Sequence, residues 1–239
     1  KQISQVAGWL LPKEEKTETP RATAFIDEKQ YSVPAVALNE AARELTRVGE
    51  VTVEMVSESC RALLSLETEH ADRVFELENR LVDPVCRELE KFINFLMREE
   101  LSEQQQKRCF QLKGVLVDVE RVGDMAEDIA QFAVERKANN LPFTQEAVDD
   151  LDCLSRQANE TYALAVQAFA TGDQNQARLV CEREEEFDHQ YWRFRHTHIE
   201  RLQSGCCDPG AAVIYTETLR LLERVSDHAD TLGISVLRS

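Results

Sequence analysis

From about residue 36 onward, apolar residues recur every three to four positions along this chain, with charged residues filling the intervals. That period belongs to amphipathic α-helices, not to strands. Six long helices are predicted. The first runs over about 36–65, after Ser32-Val33-Pro34, where proline suits a first helical turn. The second covers about 70–100, with Pro84 inside it predicting a kink or a local start. The third covers about 103–138 and ends at Asn139-Asn140-Leu141-Pro142. The fourth opens at Thr144-Gln145-Glu146 and stops at Gly172-Asp173. The fifth covers about 174–203, and the sixth fills the chain after the break from Ser204 to Gly210.

Three long helices, a join and three more long helices imply an all-α protein of two tandem three-helix bundles, each up-down-up because the connections are short. The expected division is a lead segment and linker at 1–30, a first bundle at 31–140 and a second at 141–239. The halves also share sequence signals. Val119-Glu120-Arg121-Val122-Gly123-Asp124 aligns with Leu222-Glu223-Arg224-Val225-Ser226-Asp227. In the middle helices, Val74-x-x-x-Glu78-x-x-Leu81 aligns with Val180-x-x-x-Glu184-x-x-Phe187. The order of these signals is the same in both halves, so duplication is the economical reading.

The repeated motif sits on a particular face. Val115, Val119, Val122, Ala126, Ile129 and Ala133 form the apolar stripe of the third helix. At ~100° per residue, Glu120, Asp124 and Asp128 fall opposite it. The sixth helix repeats this, with Glu223, Asp227 and Asp230 opposite Leu222, Val225, Ala229 and Leu232. Like charges four apart destabilise a helix by a few tenths of a kcal/mol. A single such pair reads as a solvated acidic face. Two equivalent pairs on equivalent helices also suit oxygen-preferring cations such as Mg, Ca or Mn, or iron bridged by water or hydroxide.

Composition narrows the field. Forty-four acidic against 28 basic residues give a formal charge of −16, which repels phosphate backbones and argues against nucleic-acid binding. The seven cysteines contain no Cys-x-x-Cys pair, and their odd number in a chain of this length points to reduced thiols. Cys206-Cys207 falls in a loop. No Gly-rich phosphate loop, nucleophile elbow or Glu-x-x-His di-iron signature occurs. Phe75, Phe92, Phe95, Phe110, Phe132 and Phe169 fall on apolar stripes and are expected in the core. His189, His196, His198 and His228 are expected as surface or packing residues.

The two Glu-Arg-Val-x-Asp stretches, with Ile129-Ala130 and His228-Ala229 following them, resemble the repeated signature of the PhoU family of bacterial phosphate-homeostasis regulators. The middle-helix patterns around Glu78 and Glu184 are similar to that family too. The resemblance covers about 36–239 and implies six helices in two bundles. It implies metal binding through Glu120 and Asp124 and through Glu223 and Asp227, with Glu78, Glu184 and Asp128 as further candidate ligands. Divalent or trivalent ions are implied (Fe, Mg, Mn, Ca or Zn), in multinuclear clusters in some family members. Asp128 stands where Asn is common, and Ser226 where Gly is frequent.

The stretch from Phe25 to Leu38 resembles the segment that joins the membrane domain of bacterial sodium/phosphate cotransporters to their cytoplasmic PhoU-like domain. On that reading Val6 to Pro12 follows a last membrane helix, and the opening at Lys1 instead of Met reflects a cut. The expected function is then a non-catalytic regulatory domain at the cytoplasmic face of the inner membrane. Its partners would be the membrane domain of the same transporter chain and, in a homo-oligomer, further copies of itself. The alternative is a stand-alone PhoU-like adaptor that docks on a phosphate transporter ATPase and a sensor kinase. A phosphoester-hydrolysing metalloenzyme is a third reading, and no positioned acid, base or substrate-binding cation accompanies the pairs to support it.

Overall fold

The structure is a computed structural model that describes residues 23–26 and 33–238. The Val6–Pro12 stretch, and positions 27–32 of the segment compared with the cotransporters, lie outside the described residues. Among the described residues the ordered elements are all helical: α1 (Pro34–Ser65), α2 (Thr68–Leu77), α3 (Asp83–Leu96), α4 (Glu103–Ala138), α5 (Gln145–Thr171), α6 (Gln174–Gln203) and α7 (Pro209–Leu237). A π-helical turn, Glu78–Val82, joins α2 to α3, and the backbone stays helical through both joins, so the three pieces form one long middle helix. The result is the expected six long helices.

Local chemistry fixes the ends. Ser102 and Gln105 form a reciprocal capping box at the start of α4. Thr144 caps α5, Asp173 caps α6 and Asp208 caps α7, each by accepting backbone N–H bonds from the first turn. Pro34 and Pro209 occupy first-turn positions. Gly172, at φ 69°, closes α5 in the left-handed region. The middle helix of the first half ends at Leu96, short of the expected Glu100. Arg98, Glu99 and Glu100 are exposed, so no burial extends the helix through them.

Pro84 produces the π turn instead of a sharp kink. Proline has no N–H and its ring presses on the carbonyl four residues back. Widening the turn relieves both, and Asp83 N–H bonds to Glu78 O, five residues back. The Asn79 side chain donates to Phe75 O at 2.8 Å, satisfying a carbonyl at the edge of the loosened turn.

The two halves pack through equivalent helices, α1 on α5 and α4 on α7, which leaves α2–α3 and α6 on the outer flanks. Their shared core is continuous. Tyr162 of α5 and Thr52 of α1 share a buried hydrogen bond of 2.8 Å across it. His228 of α7 meets Asp118 of α4 at 2.9 Å, so this histidine joins the halves. Arg136, buried at the end of α4, donates to Leu63 O at 2.6 Å and Leu141 O at 3.1 Å and lies over the Phe143 ring.

The core is largely the expected set, with two exceptions. Phe92 and Phe169 are buried, and Phe75 and Phe132 pack against the core. Phe95 and Phe110 are 41 % and 63 % exposed. Both lie towards the end of the first bundle where the middle helix turns into α4; their chain neighbours Leu96 and Cys109 are fully buried there, so Phe95 and Phe110 stand at the outer edge of the stripe.

Candidate metal-binding faces

The acidic motif of α4 does not look wholly outward. Glu120 and Asp124 are exposed, while the neighbouring Gly123 is buried against the middle helix. Glu78, at the π turn, is buried, and a Cβ on Gly123 would lie 3.0 Å from its Oε2 and 3.2 Å from Val82 Cγ1. Glycine thus lets the Glu78 carboxylate lie against α4. The Glu78 Oε2 atom is enclosed and has no hydrogen-bond partner. An enclosed acceptor of this kind carries a desolvation cost that a cation would offset.

Electrostatics define the cluster. Burial first, and then Asp124, Glu127, Asp83 and Glu120, push the Glu78 carboxyl up to about 7. Burial and Asp124 raise Glu120, with Glu90 and Asp83 adding to it and Arg87 opposing. Burial and then Asp128 and Asp83 raise Asp124. Burial, Asp124, Asp128 and Asp83 raise Glu127. The first face is therefore Glu78, Asp83, Glu120, Asp124 and Glu127, with the exposed Asp128 at its edge.

The second face repeats it. Burial and then Asp188, Asp230, Asp227 and Glu185 push Glu184 of α6 up to about 7. Burial, Asp227 and Asp188 raise Glu223, against the opposing charges of Arg224 and Arg220. Burial and Asp188 raise Asp227, with His228 opposing. Ser226 stands where the first copy has Gly123, and its buried hydroxyl has no hydrogen-bond partner.

Beside the expected Asp128, the α4 face holds Glu127, which matches Asp230 of α7 in register, whereas Asp128 matches Thr231. The partner acids of the middle helices, Asp83 and Asp188, were missed. Asp188 follows Glu184 by four residues on a regular helix and was readable from spacing. Asp83 follows Glu78 by five, which on an α-helix would turn it away by about 140°. The π turn absorbs the extra residue and returns it to the face.

Every donor in both faces is a carboxylate oxygen, the chemistry that hard divalent cations and oxo-bridged iron take. The unpartnered Glu78 Oε2 fits such a role. With side chains as they stand, no three His, Cys, Asp or Glu among the described residues converge on one coordination point. Assembling a site therefore requires exposed side chains such as Glu120 and Asp124 to change rotamer, which their exposure permits.

Comparisons with known proteins give the same frame. The family model described as the PhoU domain matches twice, at residues 45–133 and 151–233. PhoU from Pseudomonas aeruginosa superposes with a TM-score of 0.77 at 20 % identity, covering 85 % of this chain and 96 % of that one. The phosphate transport system regulatory protein PhoU from Streptococcus pneumoniae gives a TM-score of 0.75 at 18 % identity. In sequence, the phosphate-specific transport system accessory protein PhoU homolog 1 of Thermotoga maritima is 28 % identical, over 87 % of this chain and 82 % of that one. The putative inorganic phosphate export protein YjbB of Escherichia coli is 23 % identical over 81 % of this chain, which spans about a third (35 %) of that relative. The duplicated three-helix frame and the double family match together place the chain in the PhoU family.

Proposed function

We propose that this chain is a non-catalytic regulator of phosphate transport that acts as a PhoU-type accessory protein and binds cations on its two acidic faces. The observation that carries the reading is the repeated geometry. In each half a carboxylate of the middle helix, Glu78 or Glu184, faces the Glu-x-x-x-Asp pair of the third helix, and its proton affinity is raised. The residues that would hold metal are Glu78, Asp83, Glu120, Asp124 and Glu127 in the first half and Glu184, Asp188, Glu223, Asp227 and Asp230 in the second. Asp128 would serve from the rim. Bound divalent or trivalent ions would supply positive charge that lets these acids ionise together. The accessory reading is favoured over a cotransporter tail because relatives with accessory-protein names match along most of their own length. Its partners would be components of a phosphate transport system at the cytoplasmic side of the membrane.

A second reading is favoured by one observation, the match to about a third of a phosphate export protein. There the chain would be the regulatory part of a longer membrane polypeptide. No helix among the described residues is long and apolar enough to cross a membrane, so any span would lie elsewhere in that polypeptide. An immunoblot of the host separates the two: a native species near 27.3 kDa supports the accessory protein, and one of more than twice that mass supports the fused form.

The metal reading is tested by elemental analysis of chelator-free protein after incubation with Fe, Mn, Mg, Ca or Zn. Glu120→Gln/Asp124→Asn and Glu223→Gln/Asp227→Asn variants are each expected to lose the metal of their own half. Equal, negligible metal in wild type and variants would sink it. The regulatory reading is tested by phosphate flux in cells lacking the gene, and an unchanged flux would sink that part alone.

A further inference from the structure

We infer that the end of the first bundle carries a binding cleft for a phosphorylated organic ligand of nucleotide type, separate from both acidic faces. The cleft has a volume of about 850 Å³ and opens where the first turns of α1 and α4 meet the last turn of α7. Three cations line it, Lys107, Arg108 and Arg238, and no Asp or Glu does among the described residues. In a chain of net charge −16, this is a local reversal of sign, and it favours an anion.

Arg108 is the central residue. It is half-buried and lies over the Phe169 ring with its guanidinium carbon 5.4 Å from the centroid. Its hydrogen-bond partner is the side-chain oxygen of Gln111. Gln111 is itself fixed, because its Nε2 donates to Ser235 O at 2.8 Å. Arg108 is therefore a partly desolvated guanidinium held in place by neutral groups, with donors left over for a phosphate, which it suits by its planar fork. Lys107 pairs with Glu103 at 2.7 Å, but both side chains are more than 70 % exposed. Such a pair is worth little, and a multiply charged anion displaces it.

The organic part of the ligand is read from the remaining wall. Phe110 lines this cleft and is 63 % exposed among the described residues, which leaves it a large open ring surface. Asn39, Gln104 and Gln105 add amides that can donate and accept. Cations for phosphate, an open aromatic face and several amides are the set that a nucleotide uses, through its phosphates, ring stacking and base edge. Inorganic phosphate or a lipid headgroup would use the cations and leave Phe110 idle.

The test is calorimetric titration of the whole chain in metal-free, low-salt buffer. Without metal, ATP cannot be bridged to the acidic faces, so the outcome is independent of the metal reading. The probes are ATP, ribose 5-phosphate and inorganic phosphate, with sedimentation on vesicles of phosphatidylcholine and phosphatidylglycerol as the lipid arm. ATP is expected to bind one-to-one, at least tenfold more tightly than the other two, and to weaken as salt is added. Arg108→Gln should weaken ATP at least tenfold, Phe110→Ala should erase its advantage over ribose 5-phosphate, and Arg73→Gln, remote from the cleft, should change nothing. Should Arg108→Gln fail to fold, the exposed double variant Lys107→Gln/Arg238→Gln reads the same loss. Absence of saturable ATP binding, ATP affinity unmoved by these variants, equal affinity for inorganic phosphate, or sedimentation with the anionic vesicles would each overturn the inference.

Discussion

Replacing Glu78 by Gln removes a charge that the fold stabilises poorly. The carboxyl is buried, one oxygen has no hydrogen-bond partner, and four neighbouring acids repel it. Its rise from 4.5 to about 7 corresponds, at ~1.4 kcal/mol per unit, to at most about 3.5 kcal/mol. The cluster opens to solvent on the side of Glu120 and Asp124, and screening there reduces the figure to roughly 1–2 kcal/mol. The sign follows from proton binding. Between the unfolded carboxylate value and about 7, the native protein keeps a proton that the unfolded chain has lost. Stability therefore falls as pH rises through that window and levels off above it. Glu184, also raised to about 7, contributes in the same direction. In metal-free buffer at pH 8, Glu78→Gln is expected to be more stable than wild type by roughly 1–2 kcal/mol, or about 3–6 °C in Tm for a chain of this size. Near pH 5 the wild-type carboxyl is largely protonated and the gap should shrink towards zero. Urea melts at the two pH values measure it. A variant less stable than wild type at pH 8, or an advantage of the same size at both pH values, would refute the reasoning.

Two further substitutions probe the same region. Gly123→Ala places a methyl 3.0 Å from Glu78 Oε2 and 3.2 Å from Val82 Cγ1. It is expected to cost about 1–3 kcal/mol by overpacking, read from urea melts. Deleting Arg80 should convert the π turn to regular helix and is expected to destabilise strongly while Pro84 remains, because the ring then meets a carbonyl it now avoids. Adding Pro84→Ala should recover most of the loss, and a deletion that melts at the same temperature with and without Pro84→Ala would break the link between proline and π turn.

The frame was legible because its signals are local. Five of the six long helices start on a proline or on a side chain that accepts from its own first turn, as at Pro34, Ser102, Thr144, Asp173 and Asp208, while α2 starts after Glu67 with neither. Apolar period then carries each helix to its end. Phe95 and Phe110 escaped this logic. They keep the period of their stripes, but how wide a stripe the neighbouring helices cover is a tertiary fact, and Leu96 and Cys109 beside them are the positions that are covered. The buried state of His198, 4 % exposed and stacked 4.2 Å from the Tyr215 ring, is of the same kind.

The acidic faces show a subtler limit. Spacing on one helix found Glu120 with Asp124 and Glu223 with Asp227, because i and i+4 are neighbours on any α-helix. It named Asp128 and passed over Glu127, which lies about 100° away on the wheel and whose charge acts on Glu78 of the middle helix. The same spacing rule reaches Asp188, four after Glu184, but not Asp83, five after Glu78. The two middle helices differ by one residue between these acids, and the π turn restores the register that this residue would have broken. Beyond the turn the correspondence continues with the shift retained. The charge of Glu120 acts on Cys86 as that of Glu223 acts on Tyr191, and the interval from Glu78 to Cys86 exceeds that from Glu184 to Tyr191 by the same single residue. The π turn therefore serves two alignments at once: it keeps Val85, Cys86 and Leu89 in the core beyond Pro84 and keeps Asp83 near the acids of α4.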